Sequence, residues 1–181
     1  MNSLHNSIQK VIPSRITYLE MNSRPAPKFL RIPDQTTITY HQSLSVQEYR
    51  KLYLGVGKEY HWSDRVLMKD EDLHKIISHP FVHVFVISHL GQTAGYVELD
   101  LRIPSEVEIA YFGIFPVFQG KGLGPYLLEW AIAKAWESSP SRIWVHTCDL
   151  DHSKALSTYL KAGFEKYKEE FGTATILNWE N

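Results

Sequence analysis

The residues that point first to chemistry are Gln119-Gly120-Lys121-Gly122-Leu123-Gly124-Pro125, where three glycines alternate ahead of a helix-compatible run. Alternating glycines let successive backbone N–H groups point to one side of a loop. Free N–H groups and the positive end of a helix dipole then favour an anion. Lys121 adds a full positive charge. Two phosphate motifs fail on counting. A nucleoside-triphosphate loop needs Gly-x-x-x-x-Gly-Lys-Ser/Thr, but Phe115 stands where the first glycine belongs and Gly122 where the hydroxyl belongs. The dinucleotide pattern Gly-x-Gly-x-x-Gly meets Pro125 in its third place. Gln-x-x-Gly-x-Gly remains. Other reactive side chains are Glu106 and Glu108 just before the loop, His146 further on, and the dense segment Tyr60-His61-Trp62.

These groups need elements to hold them. Val107 to Phe115 is β-branched and aromatic enough for a strand, and Pro116 marks its exit. Tyr126 to about Glu137 predicts a helix, with Pro125 at its first position. Upstream, Met1 to Ser14 reads as loosely held, Ile16–Met21 as a short strand, and the proline-rich Ser23–Pro33 as an extended connector. Thr36–His41 is a strand. Ser45 and Glu48 form a capping box for a helix ending near Gly55 and Gly57. Asp70 caps a second helix that Pro80 ends. Phe81–Ser88 and Thr93–Arg102 make an antiparallel pair around a turn. Arg142–Cys148 is a buried-type strand, Ser153–Ala162 a short helix closed by Gly163, and Phe164–Lys168 with Thr173–Trp179 a hairpin around Gly172. The class is α+β with a mixed sheet of six to seven strands and about four helices.

Composition narrows the setting. The chain has 181 residues, 44% hydrophobic and 22% charged, which suits one sizeable core. A net charge of −1 offers no reason to expect nucleic acid or an anionic membrane as partner. The single cysteine, Cys148, excludes an internal disulfide and fits a reducing, cytoplasmic setting. No run of about 18 apolar residues predicts a membrane span, and the first residues lack the apolar block of a signal peptide. No metal-ligand spacing stands out.

Three stretches together carry a resemblance. Phe112-Gly113-Ile114-Phe115-Pro116 precedes Gln119-x-x-Gly122-x-Gly124. His152-Ser153-Lys154-Ala155-Leu156-Ser157-Thr158-Tyr159-Leu160-Lys161-Ala162-Gly163-Phe164 follows. One helix and one strand lie between. This resembles the GNAT superfamily of acetyl-coenzyme A-dependent N-acetyltransferases, in particular a bacterial branch of unassigned substrates. The resemblance covers about residues 36–181, with 1–35 as an N-terminal extension packed on or beside the domain.

The resemblance implies acetyl-CoA as cofactor. Its pyrophosphate would lie on Gln119, Gly120, Lys121, Gly122, Leu123 and Gly124, with His152 where the family usually has asparagine. Its pantetheine arm would pair with the backbone of Phe112 and Ile114 near a bulge, and the Ile114 N–H would face the thioester carbonyl. An attacking amine must lose a proton. Glu108, sixteen residues before Gly124 as in histone-acetylating members, is the expected general base, with Glu106 and His146 as alternatives. Tyr159 matches the family's general acid. Asp149 and Asp151 are expected to turn away from the phosphates or to cap the helix at Ser153, and Cys148 to be a buried thiol rather than a nucleophile. Tyr60, His61 and Trp62 either line the acceptor site or pack the helix junction, and Asp64 or Arg65 offers a partner for a charged acceptor group. The expected function is acetyl transfer to a primary amine of a small molecule. The alternatives are a protein or peptide N-acetyltransferase and a non-catalytic coenzyme A sensor. The sheet edge near Thr173–Trp179 is available for a homodimer by fold analogy.

Overall fold

The computed structural model describes residues 7–26 and 31–179. The strands are β1 (Ser7–Met21), β2 (Thr36–His41), β3 (Val82–His89), β4 (Gln92–Asp100), β5 (Glu106–Ile114), β6 (Arg142–Cys148) and β7 (Glu165–Asn178). The helices are α1 (Val46–Gly57), α2 (Asp64–Leu67), α3 (Asp70–Ile77), α4 (Leu123–Ala135) and α5 (Ala155–Ala162). All seven strands form one sheet in the order β2-β3-β4-β5-β6-β1-β7. Every neighbouring pair is antiparallel except β5 and β6. The α+β class and the mixed sheet are therefore as expected.

Local signals explain most of the helices. Ser45 and Glu48 make the reciprocal capping box that starts α1. Gly163 takes a left-handed φ of 105° behind α5. Helix α4 begins at Leu123, earlier than expected, which puts Pro125 at its third position. That residue is still in the first turn, where an N–H has no helical partner to lose. Helix α3 starts at Asp70 itself, with Lys69 before it, so Asp70 is not the cap.

Three expectations need correction. The stretch Ser7–Ser14, read as loose, belongs to the fifteen-residue β1; Met1–Asn6 lie outside the described residues. Strand β1 runs between β6 and β7, so the segment read as an extension beside the domain is part of its sheet. Pro13 hid this. It pairs with Thr173 of β7, beyond the residues where β6 runs alongside, so its missing N–H breaks no ladder on that side. The third correction is Gly172. No hairpin forms there; β7 is continuous and Gly172 pairs with Ser14. A Cβ at Gly172 would sit 3.3 Å from Ile16 Cδ1, so the glycine serves a close approach rather than a turn.

Two cores flank the sheet. Helices α4 and α5 cover Val97, Leu99, Val107, Ile109, Ile143 and Val145 on one face. Helices α1 and α3 cover Val84, Val86 and Tyr96 on the other. A buried ion pair joins the second core to α2. Glu98 of β4 is 0% exposed and accepts from Arg65 Nη2 at 2.9 Å and from the Tyr49 hydroxyl. The Arg65 guanidinium also lies 5.0 Å from the Tyr111 ring. Burial pushes the Glu98 carboxyl upward against the opposing pull of Arg65 and Tyr49.

Breaking one side of this pair leaves a charge in the core, which typically costs about 3–5 kcal/mol. Arg65→Met should therefore lower the urea midpoint by an equivalent of several kcal/mol. An unchanged midpoint would show that the pair does not anchor α2.

Candidate active site

Strands β5 and β6 run in register for only three pairs, Glu106–Arg142, Val107–Ile143 and Glu108–Trp144. Beyond Glu108 they part. A bulge contributes: Glu98 pairs with Tyr111 but Leu99 with Ile109, which leaves Ala110 as an extra residue. It also resets the side-chain alternation, so Ile109 faces the α4 core while Tyr111 packs with the α1 core. The space between the parting strands is a cleft of about 620 Å³. Phe115 N–H bonds Ala94 O of β4. By antiparallel alternation, the N–H and C=O of Ile114 and Phe112 point the other way, into the cleft. The Ile114 carbonyl there accepts from Gln119 Nε2 at 3.4 Å.

The glycine loop closes one end of the cleft. Gly120 and Gly122 have φ of 77° and 78°, values that disfavour any residue with a Cβ. A Cβ on either would meet nothing within 4 Å, so the loop faces open space. Gly122 precedes α4 without any side-chain cap, which leaves the first-turn N–H groups available. The Leu123 side chain is buried in the core, and neither Leu123 nor Lys121 is among the residues lining the cleft. Lys121 Nζ lies 5.1 Å from the Phe118 ring. This loop, with the free backbone edge of β5, fits the pyrophosphate and amide-bearing arm of coenzyme A. His152 lies on the opposite bank, where its Nδ1 accepts the Lys154 N–H at 3.1 Å.

The candidate acid and bases separate by face. Tyr159 of α5 lines the cleft from the α4–α5 side, its ring 6.2 Å from that of Phe112. Burial, then the charge of Asp151, raise its hydroxyl pKa, which keeps the proton on. His146 of β6 lines the cleft on the opposite face. Its Nδ1 lies 3.3 Å from Glu108 Oε1, the two side chains being 43% and 20% exposed. Burial pushes the imidazole pKa down. The hydrogen bond and charge of Glu108, with Asp151 and Asp64 further off, push it up and win. Glu108 stands behind His146 rather than on the cleft wall. Glu106 is bound to Arg142 at 2.9 Å at the strand's start, away from the cleft. Cys148 lines the cleft with its thiol pKa raised, chiefly by burial, which disfavours a thiolate nucleophile.

The segment between α1 and α2 forms the remaining wall. Tyr60, His61, Trp62 and Asp64 all line it, while Arg65 turns away to Glu98. Arg65 is thus not available to a charged acceptor group. Trp62 packs 5.4 Å from both Tyr53 and Tyr111. Neither aspartate of the β6–α5 turn caps α5, whose first turn has no side-chain cap. Asp149 accepts from Ser14 Oγ at 3.0 Å. Asp151 lines the cleft and accepts from Trp62 Nε1, Thr147 Oγ1 and Cys148 N–H. Sequence reasoning missed this role of Asp151, because its partner Trp62 is 89 residues away. It also missed Ser14, Thr173 and Thr175, which the β1–β7 ribbon brings to the cleft. Among the described residues, no group of three His, Cys, Asp or Glu side chains could hold a metal ion. No helix there is long and apolar enough to cross a membrane.

Comparison with known proteins agrees with this geometry. The chain is 25% identical over 117 residues to a Bacillus subtilis protein that carries the name of a ribosomal protein bS18-alanine N-acetyltransferase. The match covers 61% of this chain and 76% of that one. Among solved structures, a GCN5-related N-acetyltransferase from Sphaerobacter thermophilus superposes with a TM-score of 0.63 at 15% identity, over 94% of this chain and 55% of that one. A functionally unknown protein from Staphylococcus epidermidis gives 0.61 at 14%, over 94% and 64%. The chain therefore spans about 55–64% of the length of those two solved chains. Such identities speak for the fold alone. The sequence profile of the acetyltransferase (GNAT) family matches residues 45–164, a span that holds the split strands, the glycine loop and Tyr159. The chain belongs to the acetyltransferase (GNAT) family.

Proposed function

We propose that this protein transfers the acetyl group of acetyl-CoA to a primary amine of a small molecule. The observation that carries the reading is the cleft between β5 and β6, with the glycine loop at one end and Tyr159 and His146 on opposite faces. Acetyl-CoA supplies an acetyl group activated as a thioester. The backbone of Phe112 and Ile114 orients the arm, and Gln119 to Gly124 hold the pyrophosphate against the α4 N-terminus. His146 serves as general base in place of the expected Glu108, which does not reach the cleft wall: the imidazole receives the amine proton, and Glu108 behind it stabilises the resulting charge. Tyr159 donates its proton to the departing sulfur on the other face. As the N–C bond forms and the C–S bond breaks, the amine proton goes to His146 and the thiol proton comes from Tyr159.

Tyr60, His61, Trp62 and Asp64 belong to the acceptor side in this reading. The β1–β7 ribbon favours a small acceptor. It supplies Ser14 and Thr173–Thr175, which add a wall on that side of the cleft. The name of the Bacillus subtilis relative favours a second reading, an N-terminal alanine as acceptor. Screening small amines beside alanine-initiated peptides by thiol release separates the two. Turnover of peptides alone would overturn the small-molecule reading.

Three outcomes test the site. Calorimetry should show micromolar binding of acetyl-CoA but not of ATP or NAD. Gly122→Glu should weaken that binding at least tenfold, because it adds a carboxylate and a Cβ where φ is 78°. A folded protein that ignores acetyl-CoA would refute the assignment. For catalysis, Tyr159→Phe should lower the single-turnover rate about 10²-fold, within the usual range for a general acid, with little change in acetyl-CoA affinity; an unchanged rate removes Tyr159 from the chemistry. Finally, His146 must be neutral to accept a proton and its pKa is raised. Turnover with the screened amine should therefore fall as pH drops through a value above the ordinary histidine pKa of about 6.5. Glu108→Gln should move that inflection to lower pH. An inflection that stays in place would show that Glu108 does not act on His146.

A further inference from the structure

The cleft has two banks. Tyr111 and Gln119 belong to the β5 bank, and Asp151 and His152 to the turn after β6. The connection between α1 and α2 crosses from one bank to the other, and two of its side chains touch both. Tyr60 accepts from Gln119 Nε2 at 3.2 Å, while its ring meets His152 edge-on at 5.9 Å. Trp62 packs against Tyr111 at 5.4 Å, while its Nε1 donates to Asp151 Oδ1 at 2.9 Å. Asp151 is itself fixed, its Oδ2 accepting from Thr147 Oγ1 at 2.7 Å and Cys148 N–H at 2.9 Å. Between the two bridging residues, His61 holds a left-handed φ of 60°, a conformation a non-glycine residue keeps only when its surroundings impose it. The crossing is held close to α1 as well. A Cβ on Gly57 would fall 2.3 Å from the Trp62 indole, so only glycine lets the ring lie there.

We propose that Tyr60–Trp62 is a bar across the split that gates coenzyme A exchange, beyond any part it plays in holding the acceptor. The inference rests on the reading that acetyl-CoA occupies the cleft. A ligand lying between the banks is retained for as long as both cross-links hold, and it enters or leaves when they open. Such a gate has a kinetic signature that a direct ligand contact lacks. If the bar must open in the free and the bound protein alike, loosening it multiplies the association and dissociation rate constants by the same factor and leaves their ratio alone. Loss of a direct contact raises dissociation and weakens affinity in step.

Stopped-flow measurements with a fluorescent coenzyme A, chased by unlabelled acetyl-CoA, test this on the full chain. Tyr60→Phe removes the acceptor oxygen and keeps the ring. Trp62→Phe removes the indole N–H. Each should raise both rate constants about tenfold while the calorimetric Kd for acetyl-CoA moves less than threefold. Gly57→Ala disturbs the bar without removing either hydrogen-bonding group and should give the same joint acceleration. Urea unfolding confirms that each variant compared is folded. Unchanged rate constants across the three variants overturn the gate. So does faster dissociation alone with matching loss of affinity, which would make Tyr60 and Trp62 ligand contacts. A wild-type protein that binds no coenzyme A removes both the function and the gate, whereas unchanged rate constants beside normal binding remove the gate alone.

Discussion

The structure turns on the parting of β5 from β6 after three paired residues. A sheet interior ordinarily satisfies every backbone N–H and C=O with a neighbouring strand. Here the inward edge of β5 has no strand beside it from Ile109 onward, and the cleft occupies that space. An amide-bearing ligand can stand in for the missing strand, using the same hydrogen bonds that pair strands elsewhere. The bulge at Ala110 and the pair of left-handed glycines serve this one opening. The bulge turns Tyr111 toward α1, and the glycines keep the loop at the opening's end clear of side chains.

The split also gives the site two faces with different electrostatics. On the α4–α5 side, Tyr159 sits in a buried setting near Asp151, where a neutral hydroxyl is favoured over its anion. On the other side, His146 is half-exposed and faces Glu108, Asp64 and Asp151, carboxylates that favour its protonated form. A group that keeps its proton and a group that readily takes one thus line the cleft from opposite faces. That separation comes from sheet geometry: alternation sends His146 to one face of β6 while Val145 packs with α4 and α5 on the other.

Interactions far apart in sequence hold these faces in place. Glu98 and Arg65 tie β4 to α2, and with it the end of the cleft wall between α1 and α2. Asp151 ties the β6–α5 turn to Trp62. Arg142 joins Glu20 of β1 to Glu106 of β5, which clamps the end of the sheet where β5 and β6 still touch. Few of the polar groups around the cleft are idle. Most either hold a wall or face the space where the ligands would lie.

What the sequence by itself determined is local. The glycine loop, the Ser45–Glu48 box, the Gly163 cap and the strand before the loop depend on neighbours within a few residues, and backbone preferences of Gly, Pro and Ser suffice to show them. The alternation of Glu106 and Glu108 was legible for the same reason. What only the tertiary structure decided is which distant groups meet. The first half of β1 looked loose because Pro13 and polar residues such as Lys10 and Ser14 carry little strand preference; pairing with β7, 158 to 171 residues away, overrides it. Gly172 looked like a turn because glycine permits one, yet it fits a close approach to Ile16. The placing of His146 between Glu108 and the cleft, and of Asp151 under Trp62, depends on strand register and on where β5 and β6 part. Register is a property of the assembled sheet, set by packing across many residues at once, so no local preference could carry it.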